Sequence, residues 1–365
     1  MAAVIEYLFP VLEISRVQNV QILSDRVVRI LCIGATFESL KSRGLYNLSR
    51  AGGLREFGLR FVKTSLRRYK ILYNGNQIVE KSNILVKNRG ELGSELTGKL
   101  EALSNQLRKF LPGGVIVAFS GGIDSAMLLW AAKKVKDESG GKLLAVTTDS
   151  PSLSRTELED ALGFAKDLHV EHTIEKSEEI FDEEYIRNDY DRCYYCKKEL
   201  FGITGSIAKG DKYKWVLYGY NVSDGDDIRP GHKAALENNV ISPLADAGFT
   251  KDDIRTVLRA NHLAIAEKPA SPCLSSRIMT GIPITKKRLN DIEAMEAILK
   301  EAGIKVFRVR LCRESAELFF RIESAPEEMQ SVLQQGEILV AEGKKRGYKW
   351  VTLDFEPYRS GGGVS

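Results

Sequence analysis

The chain has 365 residues, of which 43% are hydrophobic and 28% are charged, and its net charge is +4. This composition is typical of a folded globular protein, and the length is sufficient for two domains. No apolar stretch approaches the roughly 18 residues that a membrane span requires. Residues 1–10 contain Glu6 and no basic leader, so we expect no secretory signal and a cytoplasmic protein.

Positive charge is concentrated at the start of the chain. Residues 1–90 hold 15 Lys or Arg against 6 Asp or Glu (+9), whereas the remainder holds 38 against 43 (−5). A basic segment can bind nucleic acid, but it can equally be a solvated surface. Its periodicity is weak, with possible strands only at 27–33 and 77–86. We therefore treat residues 1–90 as an unassigned basic N-terminal segment.

A repeating order of strands and helices then predicts an α/β domain over residues 91–280. It opens with an amphipathic helix over 95–110, in which Leu96, Leu100, Leu103 and Leu107 form one apolar stripe. Predicted strands lie at 115–119, 142–147, 172–174 and 215–219, and predicted helices at 126–135, 155–168 and 193–207. This alternation is typical of a parallel sheet with helices on both faces, which binds ligands beyond the carboxyl ends of its strands.

A smaller α+β unit is predicted over residues 281–365, as a domain for substrate binding or oligomerisation. Its predicted elements are a helix over 286–302, strands at 306–311 and 318–322, a helix over 326–345 and a strand at 350–355.

The most specific motif is the turn after the first strand of the α/β domain, which contains Ser120, Gly121, Gly122, Asp124 and Ser125. Two glycines let the backbone turn tightly and bring its N–H groups against a phosphate. The following helix adds its N-terminal dipole, the serines can donate hydrogen bonds, and Asp124 can hold a magnesium ion. A plain strand–turn–helix corner would explain the glycines alone. We therefore predict a phosphate-binding loop, one that lacks the Gly-Lys-Ser/Thr ending of a Walker loop.

Five scattered cysteines argue against a disulfide framework. Cys193 and Cys196 form a Cys-x-x-Cys pair whose basic neighbours, Arg192 and Lys197, are expected to lower the thiol pKa and favour the thiolate. Cys273 lies in a proline-containing stretch, 268–277, which predicts a loop.

These three thiols are candidates for a metal centre. Three thiolates suit an iron–sulfur cluster that keeps one iron open. Zinc would take a fourth ligand, which one of the four histidines would supply: His169, His172, His232 or His262. Cys32 and Cys312 lie in apolar contexts and are predicted to be buried packing residues.

The loop at 120–125 resembles the pyrophosphate loop of the N-type ATP pyrophosphatases. This resemblance implies an adenine nucleotide alpha hydrolase-like fold and cleavage of ATP between its α and β phosphates, with AMP placed on a substrate oxygen. Asp149, after the second strand, would then lie near the adenosine, although it is equally suited to cap a helix.

From about residue 107 to residue 365, roughly 70% of its length, the chain resembles the LarE-type sulfur transferases. The matching stretches after the loop are 219–224, 229–231, 242–244 with Lys251 and Arg255, 268–277, 308–310, 321–323 and 358–361. The resemblance implies adenylation of a carboxylate of a pyridinium dicarboxylate mononucleotide. It further implies conversion of that group to a thiocarboxylate in nickel-pincer cofactor biosynthesis.

The resemblance also implies the source of sulfur. In one branch a single cysteine, which matches Cys273, gives up its own sulfur and becomes dehydroalanine. In a second branch, cysteines that match Cys193 and Cys196 join it in holding a 4Fe–4S cluster that delivers sulfur repeatedly. Because the chain has all three cysteines, we predict the cluster branch.

Other roles follow from the same resemblance. Arg229, Lys268 and Arg277 would grip phosphate or carboxylate, and Arg277 would join Cys273 and Asp124 in catalysis. Further positions are Arg308 and Arg310 at the mononucleotide phosphate, with an exposed strand face as the alternative, and Glu296 and Glu323 near a second metal. The segment between Arg310 and Arg321 is longer than the family pattern, and residues 1–90 have no counterpart in it.

Three alternative functions share parts of this pattern. A tRNA thiolase would use the same loop and cysteines but needs a broad basic surface. An amide synthetase would leave three cysteines without a purpose, and a non-catalytic nucleotide-binding scaffold is at odds with Asp124 and Cys273. The expected partners are ATP, the mononucleotide, an external sulfur donor and further copies of the chain, without membrane or nucleic acid.

Overall fold

The computed structural model describes residues 59–63, 69–73, 77–78, 92–224, 230–269 and 271–359. The chain divides into two compact units, Met1–Lys87 and Asn88–Ser365. Within the first unit, β1 (Leu59–Lys63), β2 (Tyr69–Tyr73) and β3 (Gln77–Ile78) form an antiparallel sheet in that order. The strand predicted at 77–86 is thus described only at its start. The one at 27–33 lies outside the described residues.

The first part of the second unit is a strand–helix alternation. Its helices and strands, in chain order, are α1 (Ser94–Phe110), β4 (Val115–Ala118), α2 (Ile123–Ser139), β5 (Leu143–Asp149), α3 (Arg155–Asp167), β6 (Glu171–Lys176), α4 (Glu183–Ile186), α5 (Arg192–Gly210), β7 (Trp215–Tyr218), α6 (Pro230–Glu237), α7 (Pro243–Asp246) and α8 (Lys251–Ala260). The four strands are parallel, in the order β6-β5-β4-β7.

Both faces of this sheet are covered by helices. Val115 and Val117 of β4 face a core with α1, α2 and α8. The alternate residues Ile116 and Ala118 pack toward α5 and α6, as the two-residue period of a strand requires. The predicted α/β fold is confirmed. The strand order β6-β5-β4-β7 places the carboxyl ends of β4, β5 and β7 side by side at one edge of the sheet, where the phosphate loop begins.

The remainder contains α9 (Lys286–Glu301), β8 (Phe307–Glu314), β9 (Glu317–Ser324), α10 (Met329–Gln334), α11 (Gly336–Lys345) and β10 (Val351–Leu353). These strands form a sheet in the order β10-β9-β8, with β8 and β9 antiparallel. The core between this sheet and α9 also takes in Tyr185 and Leu274 from the preceding part of the chain. The domain boundary predicted at residue 280 stays a prediction.

One local expectation needs correction, and several helices had no prediction. The single helix predicted over 326–345 is wrong, because the chain forms a 3₁₀ turn, Pro326–Glu328, and two helices that meet at Gln335. Gly336, a poor helix former, follows this break. The three short helices α6–α8 had no sequence prediction. A capping box of Thr250 and Asp253 opens α8 and was a readable signal for it.

No helix among the described residues is both long and apolar enough to cross a membrane.

Candidate active site

The phosphate loop joins β4 to α2 and is closed by its own serines. The hydroxyl of Ser125 accepts a hydrogen bond from the backbone N–H of Ser120 (3.3 Å) and shares one with the Ser120 hydroxyl (3.1 Å). It also donates to the carbonyl of Gly122 (3.1 Å). Within the described residues, no side chain caps the start of α2. The first N–H groups of the helix are therefore open to an anion.

Glycine is required at two positions around this loop. Gly121 has φ 73°, and a Cβ there would lie 3.1 Å from the Cβ of Ala161 in α3. Gly219, directly after β7, packs against the first turn of α2, where a Cβ would lie 2.5 Å from the backbone nitrogen of Ser125. The loop is thus held between its neighbours at backbone distance.

Asp124 occupies the first turn of α2. Its Oδ1 is buried and has no hydrogen-bond partner within the described residues. Burial raises the pKa of this carboxyl to about 6, with Lys251 opposing the rise and Asp224 adding to it. An orphaned buried oxygen beside a second carboxylate fits a hard cation such as Mg²⁺.

Three residues around Asp124 were absent from the predicted site. Asp224 is buried, accepts a hydrogen bond from Asn221 Nδ2 (2.8 Å) and pairs with Lys251 Nζ (3.0 Å). All three belong to stretches that match the family pattern, so the sequence pointed to them. It did not reveal which side chains turn toward the loop, because that depends on packing.

Asp149 ends β5, where its carboxylate forms an ion pair with Arg155 (2.7 Å). The alternative of Asp149 as a helix cap is wrong, because Ser154 caps α3 by accepting a hydrogen bond from Glu157 N. A contact between Asp149 and a nucleotide stays a prediction.

Lys268 connects the phosphate loop to the segment that carries Cys273. Its Nζ donates to the carbonyl of Gly121 (3.2 Å) and pairs with Glu157 (2.7 Å) and Asp160 (2.9 Å) on α3. Only 15% of this side chain is exposed. The ammonium therefore lies at the loop, and its role in binding phosphate stays a prediction.

Cys273 precedes a 3₁₀ turn, Leu274–Arg277. The N–H of Leu274 donates to the carbonyl of Ser152 (2.8 Å), in the loop after β5. The Ser275 hydroxyl shares a hydrogen bond with the buried Tyr185 hydroxyl (2.6 Å). These contacts bring the cysteine loop to the same sheet edge as the phosphate loop.

The Cys-x-x-Cys pair lies on the first turn of α5 and is tied to the same loop. Arg192 donates to the carbonyl of Ser275 (3.1 Å) and to Oδ1 of Asn188 (2.5 Å). Burial alone would lower the pKa of Arg192. The nearby thiols of Cys273 and Cys193 outweigh this effect, so the pKa of the guanidinium is raised. The structure thus brings the two cysteine segments together around one partly buried cation.

The three thiols differ in environment. Cys193 and Cys273 are exposed, whereas Cys196 is partly buried against the C-terminal core. The expectation of a lowered thiol pKa is wrong for Cys196: burial raises its pKa, and the proximity of Cys273 adds to the rise. Among the described residues, no three His, Cys, Asp or Glu side chains are grouped to hold a single metal ion.

The predicted arginines form two buried ion pairs. Arg277 is 3% exposed, pairs with Glu296 (2.9 Å) and donates to the carbonyls of Pro272 and Cys273. Arg310 is 7% exposed and pairs with Glu323 (3.1 Å). An exposed strand face is therefore the wrong description for Arg310.

The other predicted residues are placed as follows. Arg308 is half-buried and lies over the Tyr358 ring at 4.6 Å. Burial lowers its pKa, and the charge of Arg277 lowers it further. Cys312 is buried, which confirms the packing prediction for it. Arg229 and Cys32 lie outside the described residues.

The chain is similar to several known proteins, although no family model matches it. An uncharacterized protein of Synechocystis is 36% identical over 72% of this chain and 97% of its own length. The pyridinium-3,5-bisthiocarboxylic acid mononucleotide synthase of Lactiplantibacillus plantarum is 31% identical over 68% of this chain and 87% of its own length. The tRNA-specific 2-thiouridylase MnmA 1 of Syntrophus aciditrophicus is 29% identical over 49% of this chain and 55% of its own length.

The similarity to the synthase extends over most of both chains. Similarity to the thiouridylase over a shorter span agrees with the parallel sheet and its phosphate loop, which PP-loop proteins share. The chain therefore belongs to the LarE family of PP-loop proteins, the family of pyridinium-3,5-bisthiocarboxylic acid mononucleotide synthase.

Proposed function

We propose that this protein uses ATP to adenylate a carboxylate of a pyridinium dicarboxylate mononucleotide and then replaces the activated oxygen with sulfur. The thiocarboxylate product would serve nickel-pincer cofactor biosynthesis. The observation that carries the proposal is the contact of Lys268 with Gly121. Lys268 lies five residues before Cys273, so this contact joins the cysteine segment to the phosphate loop. It supports a single site in which an activated acyl group meets a sulfur nucleophile.

The first step is activation of the carboxylate. A carboxylate oxygen is a poor leaving group, and transfer of AMP to it supplies a good one while pyrophosphate departs. The open N–H groups of α2 and the ammonium of Lys268 would stabilise charge on that pyrophosphate. Asp124 would hold Mg²⁺, which neutralises the departing phosphates. Its orphaned Oδ1 supports this assignment.

The second step is transfer of sulfur. Sulfur would attack the acyl carbon of the adenylate, and AMP would leave. Cys273 would supply or hold that sulfur, with the partly buried cation of Arg192 beside it. Cys193, Cys196 and Cys273 would hold a 4Fe–4S cluster, to which their thiols are suited in donor type. When bound, such a cluster supplies sulfur repeatedly, whereas Cys273 alone would give up its own sulfur once.

The remaining predicted residues would bind substrate and nucleotide. We assign Asp149 to the adenosine, Arg229 to a phosphate or carboxylate, and Arg308 and Arg310 to the mononucleotide phosphate. Arg277 would act at the reacting centre through the Cys273 loop, because its guanidinium donates to the Cys273 carbonyl. The C-terminal part, 281–365, would carry the mononucleotide site and contacts between copies of the chain.

Cys273→Ser tests the separation of the two steps. Anaerobically purified protein is given ATP, Mg²⁺ and the mononucleotide, and pyrophosphate and thiocarboxylate are measured together. The variant should retain substrate-dependent pyrophosphate release and lose thiocarboxylate formation. Cys312→Ala, which removes a buried thiol outside the two cysteine segments, is the control and should retain both. Retained thiocarboxylate formation in Cys273→Ser, or loss of pyrophosphate release as well, would contradict the proposed division.

Iron and acid-labile sulfide analysis tests the cluster separately. The anaerobic wild-type protein should contain both and absorb broadly in the blue, and Cys193→Ser should lose most of each. A colourless protein that carries zinc instead would refute the cluster while leaving adenylation intact.

A second candidate function is thiolation of tRNA, which the similarity to the thiouridylase favours. The net charge of −5 over residues 91–365 opposes it, because RNA binding needs a basic surface. A gel-shift titration with tRNA at about 0.15 M salt separates the two. Saturable binding with tRNA-dependent pyrophosphate release would favour the thiolase.

A further inference from the structure

Arg255 is a partly buried arginine of α8 that has no role in the proposed function so far. The helix packs with α2 in the apolar core of the parallel-sheet region, so it is a rigid support for the side chain. The guanidinium donates to two backbone carbonyls, that of Ala266 and that of Lys268 (3.0 Å). A planar guanidinium holds two acceptors in a fixed relative position, which a single ammonium does not.

The first of these carbonyls belongs to a turn that lacks one of its own donors. Residues Ala264–Glu267 form a 3₁₀ turn, in which a carbonyl accepts a hydrogen bond from the N–H three residues later. For Ala266 that residue is Pro269, which has no N–H. Ala266 is 1% exposed, so water has little access to it. Arg255 therefore supplies the hydrogen bond that the proline removes.

The second carbonyl is that of Lys268, the residue that reaches the phosphate loop. Its Nζ donates to the carbonyl of Gly121 (3.2 Å). The backbone of Lys268 is thus held by Arg255, and its ammonium lies at the loop. Because a lysine side chain is long and flexible, the position of its ammonium depends on where its backbone is fixed.

α8 brings a second cation to the same site. Lys251 lies four residues before Arg255 and therefore on the same face of the helix, and it pairs with Asp224 (3.0 Å). The charge of Arg255 is also near enough to Asp124 to oppose the burial that raises the pKa of that carboxyl. This face of α8 is therefore the one that supports the phosphate loop.

We propose that Arg255 is a positioning residue for nucleotide binding, because its two hydrogen bonds hold the backbone of Lys268 where the ammonium reaches the phosphate loop. Arg255 acts through Lys268 and does not itself touch the nucleotide. The inference rests on the proposed function, in which Lys268 stabilises the departing pyrophosphate.

Calorimetric titration of the full-length protein with α,β-methylene ATP and Mg²⁺ tests this role. Arg255→Gln should weaken binding about tenfold and raise the KM for ATP in pyrophosphate release by a similar factor. Arg255→Lys keeps the charge but cannot bridge both carbonyls, so its affinity should stay well below that of the wild type. Arg259→Gln is the matched control, since Arg259 lies one turn further along α8 and pairs with the exposed side chain of Glu267 (2.6 Å). It should bind as the wild type does.

A double-mutant cycle with Lys268→Met separates positioning from a general loss of stability. Arg255→Gln should lower the affinity of the otherwise wild-type protein and have almost no further effect in Lys268→Met. Partial unfolding would lower the fraction of protein that binds and leave the affinity of the folded fraction unchanged.

Three results would each overturn the role of Arg255 alone, provided that the wild type binds α,β-methylene ATP. They are unchanged affinity in Arg255→Gln, full affinity in Arg255→Lys, and an equal effect of Arg255→Gln with and without Lys268. A wild-type protein that does not bind α,β-methylene ATP would overturn the proposed function, and this inference with it.

Discussion

Asp124 is the residue at which function and stability are most directly opposed. Its carboxyl lies at the helix start that would receive the phosphates, and burial has raised its pKa from 3.8 to about 6. The folded state therefore favours the neutral acid, whereas metal binding needs the anion. At neutral pH the metal-free protein holds a charge that its surroundings disfavour.

Asp124→Asn should inactivate the protein and stabilise it. Because the folded pKa is raised, the stability contributed by the neutral form is complete below about pH 4 and lost as the pH rises through about 6. The displacement corresponds to at most about 3 kcal/mol. At pH 7.5 the metal-free variant should therefore resist urea better than the wild type by up to that amount, while pyrophosphate release falls about 100-fold or more.

The pH dependence separates this explanation from a simple change in packing. Below about pH 4 most of the difference in the free energy of unfolding should disappear, because Asp124 is then protonated in both the folded and the unfolded wild type. An equal difference at both pH values would show that the charge of Asp124 is not its cause.

At the scale of elements, the junction of β7 with α2 sets the shape of the phosphate loop. β7 neighbours β4 in the sheet, so the residue after β7 meets the turn after β4. Gly219 fills that position. The backbone of α2 approaches so closely that any side chain would contact atoms that cannot rotate away.

Gly219→Ala should displace the start of α2. Its Cβ would lie 2.5 Å from Ser125 N and 2.7 Å from the carbonyl carbon of Asp124, so we expect a loss of about 1–3 kcal/mol in the free energy of unfolding. Affinity for α,β-methylene ATP, measured by calorimetry, should fall at least about tenfold because the N–H groups are misaligned.

Gly205→Ala is the matched control for that substitution. Gly205 lies inside α5 with no atom within 4 Å of the added Cβ, so it should gain about 0.5–1 kcal/mol and keep its nucleotide affinity. Unchanged affinity in Gly219→Ala would show that the loop does not depend on this contact.

At the scale of the whole molecule, features set by neighbouring residues could be predicted from the sequence, whereas features set by residues distant in the chain could not. The loop from Ser120 to Ser125 was predictable because its residues are contiguous and glycine dictates its backbone. Burial of Arg310 was not, because alternation along a strand does not say which face is covered, and its partner Glu323 is on the neighbouring strand. The raised pKa of Cys196 likewise comes from packing against a core that its basic sequence neighbours do not reveal.

Asn188 joins the two cysteine segments and shows how the tertiary structure assembles the site. It is fully buried with φ 60°, and its amide donates to the carbonyls of Met279 (3.0 Å) and Ile282 (2.9 Å). Its Oδ1 accepts from Arg192 (2.5 Å). One side chain thus fixes the start of α5 against the chain that follows Cys273.

Asn188→Gly should remove the contacts of this side chain without adding backbone strain. Glycine adopts the same φ freely, so the variant loses only the amide contacts. Two carbonyls lose their donor, and Arg192 loses one of its acceptors. We expect a loss of about 2–4 kcal/mol in urea unfolding, and about 1 kcal/mol more in Asn188→Ala, which adds strain at positive φ. Thiocarboxylate formation should fall, while affinity for α,β-methylene ATP stays within about twofold because Asn188 does not contact the phosphate loop. Parallel loss of nucleotide binding and sulfur transfer would mean that Asn188 supports the fold as a whole rather than the spacing of the cysteines.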